Sequence, residues 1–440
     1  MQAFLCIRCL KIWFFIRFAL SLHPNMTRMK QLLISISLLL LFVACSKEHD
    51  NNDGPLTKGR RTVIVYMSGR NTLSRFTNSD FQELVNGGSK IPSDDRLVVF
   101  LSRISDKEKQ AIIRVTGDKK QPVDTLYKYQ DSFYTSEPDN FVEVIKRTMT
   151  LCPADEYALV LWGHGSGWTV EKDTRRAYGI DNGNKESNYD MYGLWLNLPD
   201  MRKCFEELGV KWKYIFCDCC NMMGAEVAYE LRNHADYLVG SPAEIPGYGA
   251  PYDKMIPHLF SQADNFYEGM VDTYAADNPD YLPLSVIRLS EMEALATATR
   301  QVLPAVADHL HQGDNVATNG MIYYFSPGGC NDNVNKTMYD MNDMIRMALT
   351  EQLAAYNTWH EAFTKAVPKR VISDTWATNN NSGNGTVNFS DFTVTDEKMG
   401  CVSMFFPLNK YNNTSCLHPY NTDIKEMQWY QAVGWSTVGY

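Results

Sequence analysis

Apolar runs and polar punctuation divide residues 61–290 into alternating strands and helices. "RTVIVYM" (61–67) and "RLVVFLS" (96–102) are β-branched and apolar, which predicts strands buried on both faces. Between them "NSDFQELVNGG" carries an Asn or Ser cap, one apolar face and a Gly-Gly stop, the signature of a helix. "AIIRV" (111–115) and "DTLYKY" (124–129) predict a short hairpin. "EPDNFVEVIKRTMTLC" predicts a helix leading into the apolar strand 157–162, and "LPDMRKCFEELG" a helix leading into the strand 212–218. A helix from about Met222 to Arg232 and strands at 236–241 and 283–289 complete the set. Strands alternating with helices give an α/β fold with a mostly parallel sheet.

Past residue 290 the pattern changes. "EMEALATATRQVLPAVADHL" and "MYDMNDMIRMALTEQLAAY" each predict one helix, the first kinked at Pro304, and "MGCVSMFFPL" predicts a late strand. The domain organisation read here is a signal region over 1–45, a tether over 46–60, an α/β domain over 61–290 and a helix-rich C-terminal subdomain over 291–440.

The N-terminus adds a location. "MTRMKQLLISISLLLLFVACSK" has a basic start, an apolar run from Leu32 to Val43, small Ala44 and then Cys45. That order is a secretory signal too short to be a comfortable membrane span. A small residue before a cysteine resembles a bacterial lipoprotein box, with signal 26–44 removed and Cys45 acylated. Residues 1–25 read as lying upstream of the true start at Met26 or Met29. The polar, acidic stretch "SKEHDNNDGPLTKG" is a flexible tether that resembles a surface-export signal of some Gram-negative lipoproteins. The chain is thus expected in the outer membrane, anchored through its lipid.

Composition narrows the function. The apolar fraction of 45% is ordinary, and a net charge of −9 without a basic block argues against nucleic acid as a partner. Beyond Cys45, eight cysteines follow the signal: Cys152, Cys204, Cys217, Cys219, Cys220, Cys330, Cys401 and Cys416. Their irregular spacing assigns no disulfides.

Chemistry concentrates in two stretches. In "YALVLWGHGSGW" a histidine, His164, follows a buried strand inside a run of glycines. In "YIFCDCCNMMGAEVAYEL" a cluster of thiols follows another. The C-terminal edge of parallel strands is where ligands bind in open α/β sheets. If the two strands are neighbours, His164 and Cys220 face one cleft, as a nucleophilic thiol and its proton carrier require. Cys220 is expected to open a helix whose N-terminus lowers the thiol pKa and supplies N–H groups to an oxyanion. Zinc at "CDCC" is disfavoured, because adjacent residues of a strand point to opposite faces and no second ligand pair follows. No Gly-x-Ser-x-Gly elbow follows a predicted strand at a suitable place, so a serine hydrolase lacks support. The residues alone stop at an exported α/β hydrolase with a Cys–His pair.

"CPADEYALVLWGHGSGW" resembles the histidine motif of the clostripain family of cysteine peptidases, and "FCDCCNMMGAEVAYELRNHADYLVGSPAEIPGYGAPYD" resembles its nucleophile motif. "VIVYMSGRNTL" and "GCVSMFFPLNKY" fit as well, so the resemblance runs over most of residues 61–440. It implies a caspase-like three-layer sandwich, related to gingipains and legumains, with His164 as catalytic histidine and Cys220 as nucleophile. The family has Asp-Ala-Cys where this chain has Asp218, Cys219 and Cys220. The extra thiol leaves Cys219 as an alternative nucleophile, or as an oxidation partner; the spacing to "GAEVAYEL" favours Cys220.

Relatives generally cleave after Arg or Lys, which requires an acidic pocket for the residue preceding the cut, P1. Asp218 and Glu244 are the carboxylates expected to border it. Some relatives depend on calcium, but no EF-hand-like spacing occurs in this chain. Relatives also mature by cutting after the histidine motif. Residues 169–190, expected to form an exposed flexible loop, contain Lys172, Arg175, Arg176 and Lys185, and the resemblance points to self-cleavage after Arg175 or Arg176. A degenerate family member serving as a surface binding or adhesion lipoprotein is the alternative, favoured had His164 or Cys220 been absent.

Overall fold

Nine strands form the central sheet of the computed structural model, which describes residues 55–440 apart from 106, 169, 172–173, 176, 184–192, 280, 327–335, 378–386 and 413–419. The signal region, Cys45, Lys172, Arg176, Lys185, Cys330 and Cys416 lie outside the described residues. The strands are β1 (Gly59–Gly69), β2 (Arg96–Arg103), β3 (Ala111–Val115), β4 (Val123–Lys128), β5 (Ala154–Trp162), β6 (Trp212–Asp218), β7 (Ala235–Gly240), β8 (Leu284–Arg288) and β9 (Lys369–Val371). Their order is β9-β8-β7-β6-β5-β1-β2-β3-β4. Strands β7, β6, β5, β1 and β2 are parallel to one another, and antiparallel partners flank them on both sides.

The alternation within β1 shows why the sheet is buried on both faces. Val63, Val65 and Met67 enter one apolar core, Ile64 and Tyr66 the other. Helices α1 (Ser74–Gly87), α5 (Tyr252–Leu259) and α6 (Phe266–Asp277) cover the first core. Helices α2 (Pro138–Leu151), α3 (Leu198–Leu208), α4 (Ala225–Leu231) and α7 (Met292–Leu310) cover the second. This is the α/β sandwich with a mostly parallel sheet that the pattern predicts, in three layers.

Residues from Pro55 to Tyr440 form one compact unit. Its C-terminal part is helical, with Met341–Ala348, Leu353–Ala366 and Gln428–Val433 following α7, and it also supplies β9 to the edge of the main sheet. Helix α7 runs unbroken through Pro304. The segment 338–356 is not one helix. Thr337–Asp340 is a strand, and the Asp340 carboxylate accepts the backbone N–H of Asp343 at 2.9 Å, which caps a new helix at Met341. The late strand contracts to Ser403–Met404. Among the described residues no helix is long and apolar enough to cross a membrane.

The segment after the histidine motif departs from an exposed loop. Val170–Glu171 and Thr174–Arg175 pair as a two-residue ribbon, and residues 177–181 are buried. Tyr178 donates its hydroxyl to the carbonyls of Tyr66 (2.7 Å) and Trp162 (3.0 Å). Asp181 forms a buried ion pair with Arg70 at 2.9 Å and accepts the backbone N–H of Thr135 at 2.8 Å. These polar anchors pull the strand Tyr178–Asp181 inside, where local composition predicts a surface loop.

Candidate active site

The two chemistry-bearing stretches meet because β5 and β6 are hydrogen-bonded neighbours in parallel register. Trp162 pairs with Asp218, the last residue of each strand. His164 and Cys220 each follow two residues later, so both emerge at the same height above the C-terminal edge. Both line one cavity of about 450 Å³, together with Thr72, Asp218, Glu244 and Gly249.

Glycine makes the approach possible. A Cβ on Gly165 would stand 2.5 Å from the Cys220 carbonyl oxygen and 3.1 Å from the Cys219 Cβ, so only glycine lets the two turns touch. Gly163 has φ +152 where the chain leaves β5. The Nε2 of His164 lies 2.9 Å from the Thr72 hydroxyl, contributed by the loop after β1.

The thiols separate by face. Cys217 and Cys219 point into the core beneath α4 and are buried. Asp218 and Cys220 turn to the opposite side and line the cavity. Among the described residues Cys152, Cys204, Cys217, Cys219, Cys220 and Cys401 are free thiols.

Cys220 does not open a helix. Asn221 takes a left-handed φ of 61, and the N–H groups of Asn221 and Met223 donate to the carbonyls of Ala243 (2.9 Å) and Ser241 (3.2 Å). Helix α4 therefore starts only at Ala225, and its dipole does not serve the thiol. Burial pushes the Cys220 thiol up to about 12, the nearby Glu244 charge adds to this, and a 3.4 Å hydrogen bond from the Ile245 N–H opposes it. The resting thiol is protonated. Burial, and then the nearby Cys217, also raise the Cys219 thiol well above its ordinary value.

Asp218 lies at the inner end of the cavity, only 2% exposed. It accepts hydrogen bonds from Tyr252 Oη (2.6 Å), Tyr274 Oη (2.8 Å) and the Ala250 N–H (3.1 Å). Burial nevertheless raises its pKa, because those bonds only partly replace lost water. Glu244 stands nearer the thiol, in a bridge to Ala377. Arg175 belongs to the short ribbon. Among the described residues no group of three or more His, Cys, Asp or Glu is arranged to hold a metal ion.

Two neighbours of the site escape sequence reading. Thr72 carries no local signal. Asp80 does carry one: the buried positions of α1 are Thr77, Asp80, Leu84 and Gly87, so an acid occupies the inward stripe of an amphipathic helix.

The sequence model described as the clostripain family matches residues 65–438. A secreted C11 cysteine protease from Bacteroides thetaiotaomicron, solved with an irreversible peptide inhibitor, is 27% identical with a TM-score of 0.68, covering 86% of this chain and 100% of its own. An inactive zymogen C11 protease from Parabacteroides distasonis shares the fold at 21% identity and a TM-score of 0.66, covering 86% of this chain and 99% of its own. A second secreted C11 protease from Bacteroides thetaiotaomicron does so at 20% and 0.64, covering 86% and 100%. No curated protein matches. With a family match spanning both site strands and the C-terminal part, the chain belongs to the clostripain family of cysteine peptidases.

Proposed function

We propose that this peptidase cleaves peptide bonds after Arg or Lys through a His164–Cys220 dyad. The observation that carries the reading is the Trp162–Asp218 register, which puts imidazole and thiol on the rim of one cavity with a buried carboxylate at its inner end. Cys220 gives its proton to His164 as sulfur attacks the scissile carbonyl carbon. His164 returns the proton to the leaving amine as the C–N bond breaks, leaving an acyl-enzyme that water hydrolyses. Gly165 bridges to Tyr178 through its neighbours, with Gly179 N–H donating to His164 O (2.8 Å) and Ser166 N–H to Ala177 O (2.9 Å). That pattern leaves the Gly165 N–H outside the ladder beside Cys220, and we assign it to the oxyanion. Asp218 recognises the basic P1 side chain, and Glu244 borders the same cleft nearer the thiol. A peptide library presented to the purified chain should yield cuts after Arg and Lys only. Cuts spread over neutral or acidic P1 residues would remove the specificity.

The reading extends to maturation. The ribbon ends at Arg175, and the buried stretch begins at Ala177. Two-residue ribbons are marginal and open readily. The Parabacteroides distasonis relative is described as an inactive zymogen, which also supports processing. Self-cleavage after Arg175 or Arg176 would give a light chain with His164 and a heavy chain with Cys220. Incubated wild type should acquire a new N-terminus at Arg176 or Ala177, whereas Cys220→Ala should stay intact. A wild-type chain that remains whole while fully active would show that processing is not required.

Acylation of Cys45 would tether the enzyme to the outer membrane, consistent with the secreted description of the 27% identical relative. Wild type should partition with membranes, and Cys45→Ser should release it or leave its signal uncut. A soluble wild-type protein with another mature start would end the lipoprotein assignment.

A further inference from the structure

Two carboxylates, not one, lie behind the inner end of the cleft. Asp80 of α1 is 1% exposed and accepts hydrogen bonds from Trp162 Nε1 (2.7 Å) and the Ser79 hydroxyl (2.9 Å). Asp218 faces it across Gly249. A Cβ built on that glycine would stand 2.6 Å from Asp218 Oδ2 and 3.3 Å from Asp80 Oδ2, and its φ of +61 also favours glycine. Gly249 and Asp218 line the cavity that holds His164 and Cys220. Among the described residues neither acid has an ion-pair partner, whereas the buried Asp181 and Asp343 both do. Burying two acids side by side without a cation is costly, and a cation entering the cleft would relieve both.

We propose that Asp80 is a positioning residue of the P1 pocket, whose carboxylate acts through Asp218 across Gly249 as a second negative charge for an arginine or lysine side chain. The inference rests on the basic-P1 reading above. The groups facing Asp80 are Trp162 from β5, Asp218 from β6, Tyr252 from α5, Tyr274 from α6 and Glu83 on its own helix, none of them cationic; Arg75 of α1 also lines the cavity, but it is exposed, with its guanidinium over the Phe76 ring at 4.7 Å. Burial first, then the Asp218 charge, push Asp80 up to about 7. In the free enzyme near neutral pH it therefore holds a proton part of the time. A bound cation favours the ionised form and expels that proton. Affinity for a basic P1 group accordingly rises with pH through about 7 and falls below it.

The test uses agmatine, a guanidinium ligand with no bond to cleave, titrated calorimetrically into the full chain at pH 7 in buffers of different ionisation heat. Wild type should release part of a proton on binding. Asp80→Asn keeps an acceptor for Trp162 and should raise the agmatine Kd and the KM for Arg and Lys peptides roughly tenfold, with kcat little changed and the proton release gone. Trp162→Phe removes the donor that favours ionised Asp80, so it should move the pH midpoint of agmatine binding upward, and this arm stands even if Asp80→Asn fails to fold. Unchanged KM and proton release in Asp80→Asn, or an unmoved midpoint in Trp162→Phe, would reduce Asp80 to a structural partner of the indole. If Asp218→Asn alone loses the basic preference, the P1 reading stands and this inference falls. If neither Asp variant alters the preference, the P1 reading itself is wrong.

Discussion

Cys220→Ala should abolish hydrolysis of Arg and Lys peptides, by roughly 10³-fold or more, with His164→Ala close behind. Both side chains stand at the rim of the cleft rather than in a core, so melting temperatures should stay near the wild-type value. The two losses should not add, because each removes the same proton-coupled attack. Cys219→Ala should be nearly silent in activity. Its sulfur lies buried with Cys217 beneath α4, and burial holds it protonated far above neutral pH. The measurement is initial rate on a basic-P1 peptide, normalised to folded protein. Full activity in Cys220→Ala with a dead Cys219→Ala would shift the nucleophile by one residue. Full activity in His164→Ala would remove the dyad.

The second large effect belongs to Asp218. Replacing it with asparagine keeps one oxygen for the tyrosine hydroxyls and removes the charge that a basic P1 side chain would meet. Losing one partner of a buried, hydrogen-bonded charge pair costs about 2–5 kcal/mol, so kcat/KM for Arg and Lys peptides should fall at least about 30-fold. Peptides with Gln or norleucine at P1 should lose much less, and that ratio is the decisive readout. Equal losses on basic and neutral P1 peptides would mean that Asp218 holds the fold and does not select the substrate. Tyr252 and Tyr274 donate to opposite oxygens of the carboxylate, so Tyr252→Phe should show a milder form of the same selectivity loss.

How far the sequence reaches can be judged from these residues. The apolar runs at 61–67, 96–102, 157–162 and 212–218 all become strands of the central sheet, because a strand buried on both faces has no polar alternation to disguise it. The glycine run around His164 and the alternation within "CDCC" are equally local, and they identify which side chains leave the sheet together. Helices α5 and α6 are not predicted by the pattern of apolar runs. α5 is only eight residues long and holds Pro257, α6 has little apolar periodicity, and the burial of both depends on the sheet face they cover.

What the chain order could not decide is which strands lie side by side. β5 and β6 are separated by some fifty residues, and only their hydrogen-bonded register sets His164 and Cys220 at one height. The same holds for electrostatics. The expectation of a helix-activated thiol failed because residues 221–223 bond to the strand-end backbone at Ser241 and Ala243, which delays α4 and leaves burial to govern Cys220. Residues 177–181 look like surface loop by composition, yet the Arg70–Asp181 pair and the Tyr178 hydroxyl draw them inside. Asp80 meets Asp218 across a glycine 169 residues further along the chain. Sequence periodicity thus determined the elements and the identity of the reactive side chains, since both follow from neighbours within one turn or strand. Tertiary packing decided their company, their protonation and their access, because those depend on atoms that the chain brings together only when it folds.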